Sequence, residues 1–298
     1  MFALVLSGAA NYGAIQAGAL EVLLEAGFKP SMTVGTSAGA LNAIFIASDP
    51  TPGGARQLGR IWEAAGESPI GESGMFTGLR RLIAQQDSLF KNQPLVDFLN
   101  ANLPTNVETF GELANAHGVK PYAIAVCMET GELVSFGDQD DDRLIDGAMT
   151  STAIPPYYPP WKVANYRYVD GGVAAKLPIR AAIDRGATQI VAINVEGALN
   201  SMQDVRGLIG ISGYAVSLMT DHQANLEIDW AHRTGVALRV INIQTPSGVP
   251  FWDYSQAKTL YQLGHRVTQL DLDSKPLKIY PEWFIKLRSR LSKIINTR

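Results

Sequence analysis

Residues 35 to 39 read Gly35-Thr36-Ser37-Ala38-Gly39, placed directly after the apolar Met32-Thr33-Val34 and directly before the helix-like run Ala40 to Ala47. A chain that leaves a strand and enters a helix within two or three residues must turn sharply. The serine at the apex is forced into a strained conformation, and glycines on either side remove the β-carbons that would clash there. Such a turn belongs to an α/β architecture, with the Ser37 hydroxyl above the sheet edge and the amide end of the helix behind it. The plainer alternative is that Ser37 only caps that helix.

The rest of the chain fits the same architecture. Phe2 to Leu6 form a buried-strand pattern that breaks into Ser7-Gly8-Ala9-Ala10-Asn11-Tyr12-Gly13 ahead of a helix from Ala14 to Ala26. Successive amides in a small-residue loop entering a helix make an anion nest, with Gly8, Ala9, Ala10 and Asn11 as candidate oxyanion-hole residues. A nucleotide loop is disfavoured, because there is no G-x-G-x-x-G and no Lys-Ser or Lys-Thr closes the turn. Further apolar runs at Pro121 to Cys127, Glu132 to Phe136, Gln189 to Val195 and Val236 to Ile243 are continuous rather than alternating, which predicts strands covered on both faces. The expected fold is a three-layer α/β/α sandwich with a mostly parallel central sheet, in a single domain spanning residues 1–298. Downstream, Tyr166-Arg167-Tyr168-Val169-Asp170-Gly171-Gly172 is a second strand end turning on glycines. A carboxylate there is delivered to the carboxyl edge of the sheet, where Asp170 and Ser37 can meet; an ordinary Asp-Gly turn is the alternative.

Taken together these segments resemble the patatin-like phospholipase family over roughly residues 2–195. Leu4-Val5-Leu6-Ser7-Gly8 with Gly13 to Gly18 is similar to the family's oxyanion block, Gly35 to Gly39 to its nucleophile block, and Asp170-Gly171-Gly172 to its D-G-[GA] block. Ser151 to Pro156 and Leu177-Pro178-Ile179 match further family punctuation. The resemblance implies a serine acyl hydrolase, of lipase or phospholipase A type, that cleaves carboxylic esters of lipids with a serine and aspartate dyad and no cofactor or metal. Ser37 would then be the nucleophile and Asp170 the general base and acid, working through an acyl-enzyme intermediate. Where the family loop reads G-G-G-x-[KR]-G, this chain has Gly8-Ala9-Ala10-Asn11-Tyr12-Gly13, so two glycines and a basic residue are replaced. An alanine held at positive φ costs on the order of 1 kcal/mol. The amides could donate if the loop stays at negative φ, with Asn11 or Tyr12 offering a side-chain donor. Burial beside Trp161 or Tyr168 would raise the Asp170 pKa and make it a better base.

Two rivals remain open. One is an α/β-hydrolase triad, since Ser37 and Asp170 are followed by His222, His232 and His265 in the matching order, although only one strand precedes the serine. The other is a catalytically weak or inactive lipid-binding protein whose oxyanion loop has drifted.

Composition narrows the partners. A net charge of −3 gives no basic footprint for nucleic acid. The lone Cys127 sits in an apolar run, and the apolar N-terminus lacks a cationic region, so a cytoplasmic protein without disulfides or signal peptide is expected. Asp138, Asp140, Asp141 and Asp142 lack the ligand alternation of a calcium loop and read as a solvated turn. Asp146 reads as a helix cap, and Asp49 to Gly54 as a surface loop between helices. Gly207 to Met219 is too short to span a membrane and reads as a buried helix or interfacial patch. Ser73 to Asn102 carries a helical apolar stripe that would suit a lid or ordinary packing, and Pro155 to Trp161 offers rigid aromatic surface. From Trp283, Phe284, Leu287, Leu291 and Ile294 recur at helical spacing beside Lys286, Arg288, Arg290, Lys293 and Arg298. That basic amphipathic segment, residues 283–298, predicts peripheral contact with anionic lipid, with a packed terminal helix as the alternative.

Overall fold

The computed structural model describes residues 1–68, 88–104, 106–197, 207–247, 249 and 253–276, the side chains of 208–210 excepted. Among the described residues the strands form one eight-stranded sheet, built from β1 (Phe2–Leu6), β2 (Met32–Thr36), β3 (Lys120–Cys127), β4 (Leu133–Phe136), β5 (Trp161–Val163), β6 (Tyr166–Asp170), β7 (Gln189–Glu196) and β8 (Ala237–Gln244). Its order is β5-β6-β3-β2-β1-β7-β8, with β4 pairing β3 off that path. The pairs β1–β2, β1–β7, β2–β3 and β7–β8 are parallel, while β3–β4, β3–β6 and β5–β6 are antiparallel.

The described helices are α1 (Gly13–Glu25), α2 (Ala38–Ser48), α3 (Pro52–Gly66), α4 (Gln93–Asn102), α5 (Phe110–His117), α6 (Leu144–Thr152), α7 (Ile179–Asp184), α8 (Gly207–Thr234) and α9 (Ala257–Ser274). Strand residues alternate between two helical layers, because successive side chains point to opposite faces. Leu4, Leu6, Val191 and Ile193 pack against α1, α2, α3 and α9. Ala3, Val5, Ile190 and Ala192 pack against α7 and α8. The three-layer sandwich with a mostly parallel sheet is therefore the observed architecture.

The registers around β3 position the site. Ala123 pairs with Gly35 of β2 and Phe136 of β4, whereas Ala125 pairs with Asp170 of β6 and Val134 of β4. A residue offers one partner per edge, so β4 occupies one edge of β3 while β2 and then β6 occupy the other in succession. Thr36 pairs with Ile124 and Asp170 with the next residue, Ala125. The two strands run toward each other and end head to head.

Several local expectations change. Pro52 does not lie in a loop: it opens α3, with the Thr51 hydroxyl accepting the Gly54 amide at 3.1 Å as an N-cap. Asp146 is no cap, since Arg143 holds that position and Asp146 sits in the first turn of α6. Gly207 to Met219 forms the first half of α8, where Ile211, Val216, Leu218 and Met219 are exposed, so the buried-helix reading fails. No helix among the described residues is long and apolar enough to cross a membrane. Residues 283–298 lie outside the described residues, as does the 73–87 part of the apolar stripe.

Candidate active site

Ser37 stands between β2 and α2 with φ of 57° and ψ of −128°, a conformation that L-residues avoid. The surroundings impose it. A β-carbon on Gly35 would lie 2.1 Å from the Gly39 carbonyl oxygen, and one on Gly39 would lie 2.5 Å from the carbonyl oxygens of Leu6 and Ser7. Glycine at both positions lets the start of α2 sit on the carboxyl end of β1. The Ser37 amide donates to Ser151 Oγ at 2.9 Å, and that hydroxyl donates to the Ile124 carbonyl at 2.6 Å. Ile124 is the β3 residue at the junction of β2 and β6, so this chain of bonds fastens the strained turn to the sheet.

Asp170 ends β6 at 1% exposure. Its Oδ1 accepts the Gly172 amide at 2.7 Å. Its Oδ2 is buried and has no partner of hydrogen-bond geometry among the described residues. Burial raises the carboxyl pKa from 3.8 to about 6, an effect that the neighbouring Ser37 hydroxyl and the Gly172 amide partly offset. Gly171 makes the turn feasible, because a β-carbon there would lie 2.4 Å from the Ile124 carbonyl oxygen. Ser37 and Asp170 thus share one corner of the sheet, with a buried carboxylate that is half protonated near pH 6.

The loop after β1 closes the same corner. A β-carbon on Gly8 would lie 3.5 Å from Ser37 Cβ. The Gly8 amide is bonded to the Lys176 carbonyl at 2.9 Å, which removes it as a free donor. Ala9 has φ of −149°, but Ala10 adopts φ of 48°, so the loop does not stay at negative φ. No backbone partner among the described residues takes the Ala9 or Ala10 amide. The side-chain donors are committed elsewhere: Asn11 Nδ2 donates to the Asp253 carbonyl at 2.6 Å, and the Tyr12 hydroxyl donates to the Val249 carbonyl. Both donors are already bonded, to Asp253 and Val249, which corrects the expectation that they stand available as side-chain donors at the loop.

Behind the loop runs a buried polar network with no local sequence signal. Gln16 Nε2 donates to the Ser7 carbonyl at 2.8 Å, Asn42 Nδ2 donates to Gln16 Oε1 at 2.8 Å, and Trp62 Nε1 donates to Asn42 Oδ1 at 2.8 Å. These bonds tie the loop to α1, α2 and α3, and satisfied buried networks of this kind hold a unique geometry. Ser7 Oγ accepts the Val195 amide at 2.9 Å, anchoring the loop to β7. Lys176 is 8% exposed and pairs with Asp221 of α8, which fixes the carbonyl that holds Gly8.

Other candidates lie apart. Asp146 accepts the Trp161 indole N–H at 2.9 Å. His265 faces Glu21 at 3.9 Å. His222 and His232 are exposed on α8, and among the described residues no histidine bonds to Ser37 or Asp170. Asp142 accepts the Gly137 amide at 2.7 Å and Asp138 pairs with Arg185, so the acidic cluster organises its own turn.

The sequence model of the patatin-like phospholipase family matches residues 4–183. Uncharacterized protein YjjU of Escherichia coli is 27% identical over 194 residues, covering 64% of this chain and 51% of its own length. Uncharacterized protein YqhO of Bacillus subtilis is 30% identical over 195 residues, covering 59% of this chain and 64% of its own. The matched regions thus span between half and two thirds of these relatives. Among solved structures, VipD from Legionella pneumophila is 17% identical with a TM-score of 0.48, covering 91% of this chain and 66% of that one. The ExoU–SpcU complex from Pseudomonas aeruginosa is 17% identical with a TM-score of 0.44, covering 92% and 51%. These structural likenesses are distant; the family match extends over more than half of the chain and takes in Gly8, Ser37 and Asp170, so the chain belongs to the patatin-like phospholipase family.

Proposed function

We propose that this protein is a serine acyl hydrolase that cleaves carboxylic esters of lipids through Ser37 and Asp170. The observation that carries the reading is the buried Asp170 carboxyl beside Ser37, with its pKa raised to about 6. At neutral pH most of it is ionised, yet it is a stronger base than an ordinary aspartate. Asp170 Oδ2 accepts the Ser37 proton as Ser37 Oγ attacks the ester carbonyl, and the bond tightens when substrate closes the site. The Ala9 and Ala10 amides and the amino end of α2 hold the developing oxyanion, with Gly8 spacing the loop rather than donating. Asp170 returns the proton to the departing alkoxide, then takes one from water to release the acid. Ester leaving groups suit such a base better than amides do.

The absence of a histidine bonded to Asp170 among the described residues favours the dyad over a triad. The left-handed Ala10 and the occupied Gly8 amide favour a slow enzyme, and an inactive lipid-binding protein is the second reading. Hydrolysis of p-nitrophenyl esters and a phospholipid panel by the wild type and by Ser37→Ala tests both. Turnover lost in the variant supports the hydrolase; turnover equal in both rejects it. Residues 283–298 extend the reading to weak docking of a cytoplasmic protein on anionic lipid. Equal vesicle co-sedimentation with and without that segment would dismiss the docking.

A further inference from the structure

Ala10 opens a short 3₁₀ turn, Ala10–Tyr12, at φ of 48°, a left-handed conformation that an alanine keeps only where its surroundings over-determine it. The next two residues supply that constraint. Asn11, 1% exposed, donates through Nδ2 to the Asp253 carbonyl at 2.6 Å, and the Tyr12 hydroxyl donates to the Val249 carbonyl. The Thr245 side chain hydrogen-bonds the same phenol. These partners lie in the connection between β8 and α9, with the two carbonyls 242 and 237 residues further along the chain and beyond the 4–183 span of the family match. That connection is itself anchored. Asp253 Oδ1 accepts the Ser255 amide at 2.9 Å and the Ser255 hydroxyl at 2.6 Å, and the Tyr254 ring stacks on Trp62 with centroids 6.3 Å apart. Trp62 packs closely on the other end of the turn, where a β-carbon on Gly13 would lie 2.2 Å from its ring.

We propose that Asn11 and Tyr12 are positioning residues, whose bonds to the β8–α9 connection hold Ala10 left-handed and aim the Ala9 and Ala10 amides at the oxyanion. The catalytic consequence rests on the ester-hydrolase reading; the constraint on Ala10 does not. The assignment also accounts for the departure from G-G-G-x-[KR]-G. Tyr12, in place of the basic residue, reaches a backbone carbonyl, and the strain at Ala10 is offset by a segment outside the family match. Without the tethers Ala10 relaxes to negative φ and its amide turns away, and a misplacement of about 1 Å at a reacting centre costs about 10² in rate.

The test places Tyr12→Phe, Ala10→Gly and their combination in the full chain. Tyr12→Phe removes one hydroxyl and keeps the ring, so the packing of the turn survives. With p-nitrophenyl acetate, Tyr12→Phe lowers kcat about tenfold or more while KM stays within about twofold. Adding Ala10→Gly, which removes the penalty on positive φ, recovers about threefold or more of that loss, a rescue that a merely structural tether does not give. Urea midpoints read the same coupling without turnover. Ala10→Gly raises the midpoint of the wild type and leaves that of Tyr12→Phe unmoved, because Ala10 is already relaxed there. Equal midpoint shifts in both backgrounds overturn the proposal, as does an active enzyme whose kcat is unchanged by Tyr12→Phe or not rescued by Ala10→Gly. Coupled midpoints in a protein that cleaves no ester uphold the tethers and reject the hydrolase reading instead. Asn11→Ala repeats the cycle on the second tether with the same expected outcomes, and Tyr12→Phe decides alone should Asn11→Ala not fold.

Discussion

Asp170→Asn should remove activity and make the protein more stable, and the gain should depend on pH. In the folded chain burial holds the carboxyl near a pKa of about 6, against 3.8 in its ordinary state. Between those values the folded state keeps a proton that the unfolded chain has lost, so stability falls as pH rises through the window and stays low above it. At 1.36 kcal/mol per pH unit the full cost is about 3 kcal/mol at pH 8. It shrinks to about 1 kcal/mol at pH 4.5, where the folded carboxyl is almost wholly protonated and the unfolded one is still mostly ionised. Asparagine is neutral throughout, and its Oδ1 can still accept the Gly172 amide that bonds Asp170 at 2.7 Å. Urea unfolding of both proteins at pH 8 and pH 4.5 measures the difference. The variant should gain up to about 3 kcal/mol at the higher pH and clearly less at the lower, while kcat drops by roughly 10²–10⁴ as the base is lost. A variant that is less stable than the wild type at pH 8, or that differs equally at both pH values, would refute the claim that an ionised Asp170 is buried at a cost.

The same carboxyl sets the acid limb of the pH–rate profile. Ester kcat/KM should fall about tenfold per pH unit below an inflection near 6, and an inflection near 4 would contradict a buried base. Ala10→Gly removes a side chain from a left-handed residue with φ of 48° and should raise stability by up to about 1 kcal/mol without lowering kcat. A urea titration showing a comparable loss would rule out strain at Ala10. Ser151→Ala takes away the acceptor of the Ser37 amide and the donor to the Ile124 carbonyl and should cost about 1–3 kcal/mol, with kcat falling more than KM rises. An unchanged kcat would mean that the turn holds its shape without that hydroxyl.

Much of the sheet was legible because its strands are largely apolar, with β1, β3 and β7 buried on both faces, whereas β4 and β8 are only partly covered. Phe2–Leu6 and the runs at Pro121, Glu132, Gln189 and Val236 emerge as β1, β3, β4, β7 and β8, with ends shifted by a residue or so. β5 gave no such signal: Trp161–Val163 is three residues long, follows prolines and is half exposed. The start of α3 was written in Thr51-Pro52, a cap followed by proline in the first turn, and the abundance of glycine and proline there masked it. Ser37 and Asp170 were each visible from their glycine turns. Their meeting depends on β2 and β6 sharing one edge of β3, a register that no local pattern encodes. Tethers such as Asn11 to Asp253 and Tyr12 to Val249 join distant segments and leave no trace in either one.

Fluorophosphonate labelling followed by peptide mass spectrometry addresses the dyad most directly, because only a serine whose proton is being accepted is phosphonylated at a useful rate. The account predicts a single adduct on Ser37, absent in Ser37→Ala and formed at least a hundredfold more slowly in Asp170→Asn. An adduct on another serine, or a Ser37 adduct that forms as fast without the Asp170 carboxylate, would contradict it.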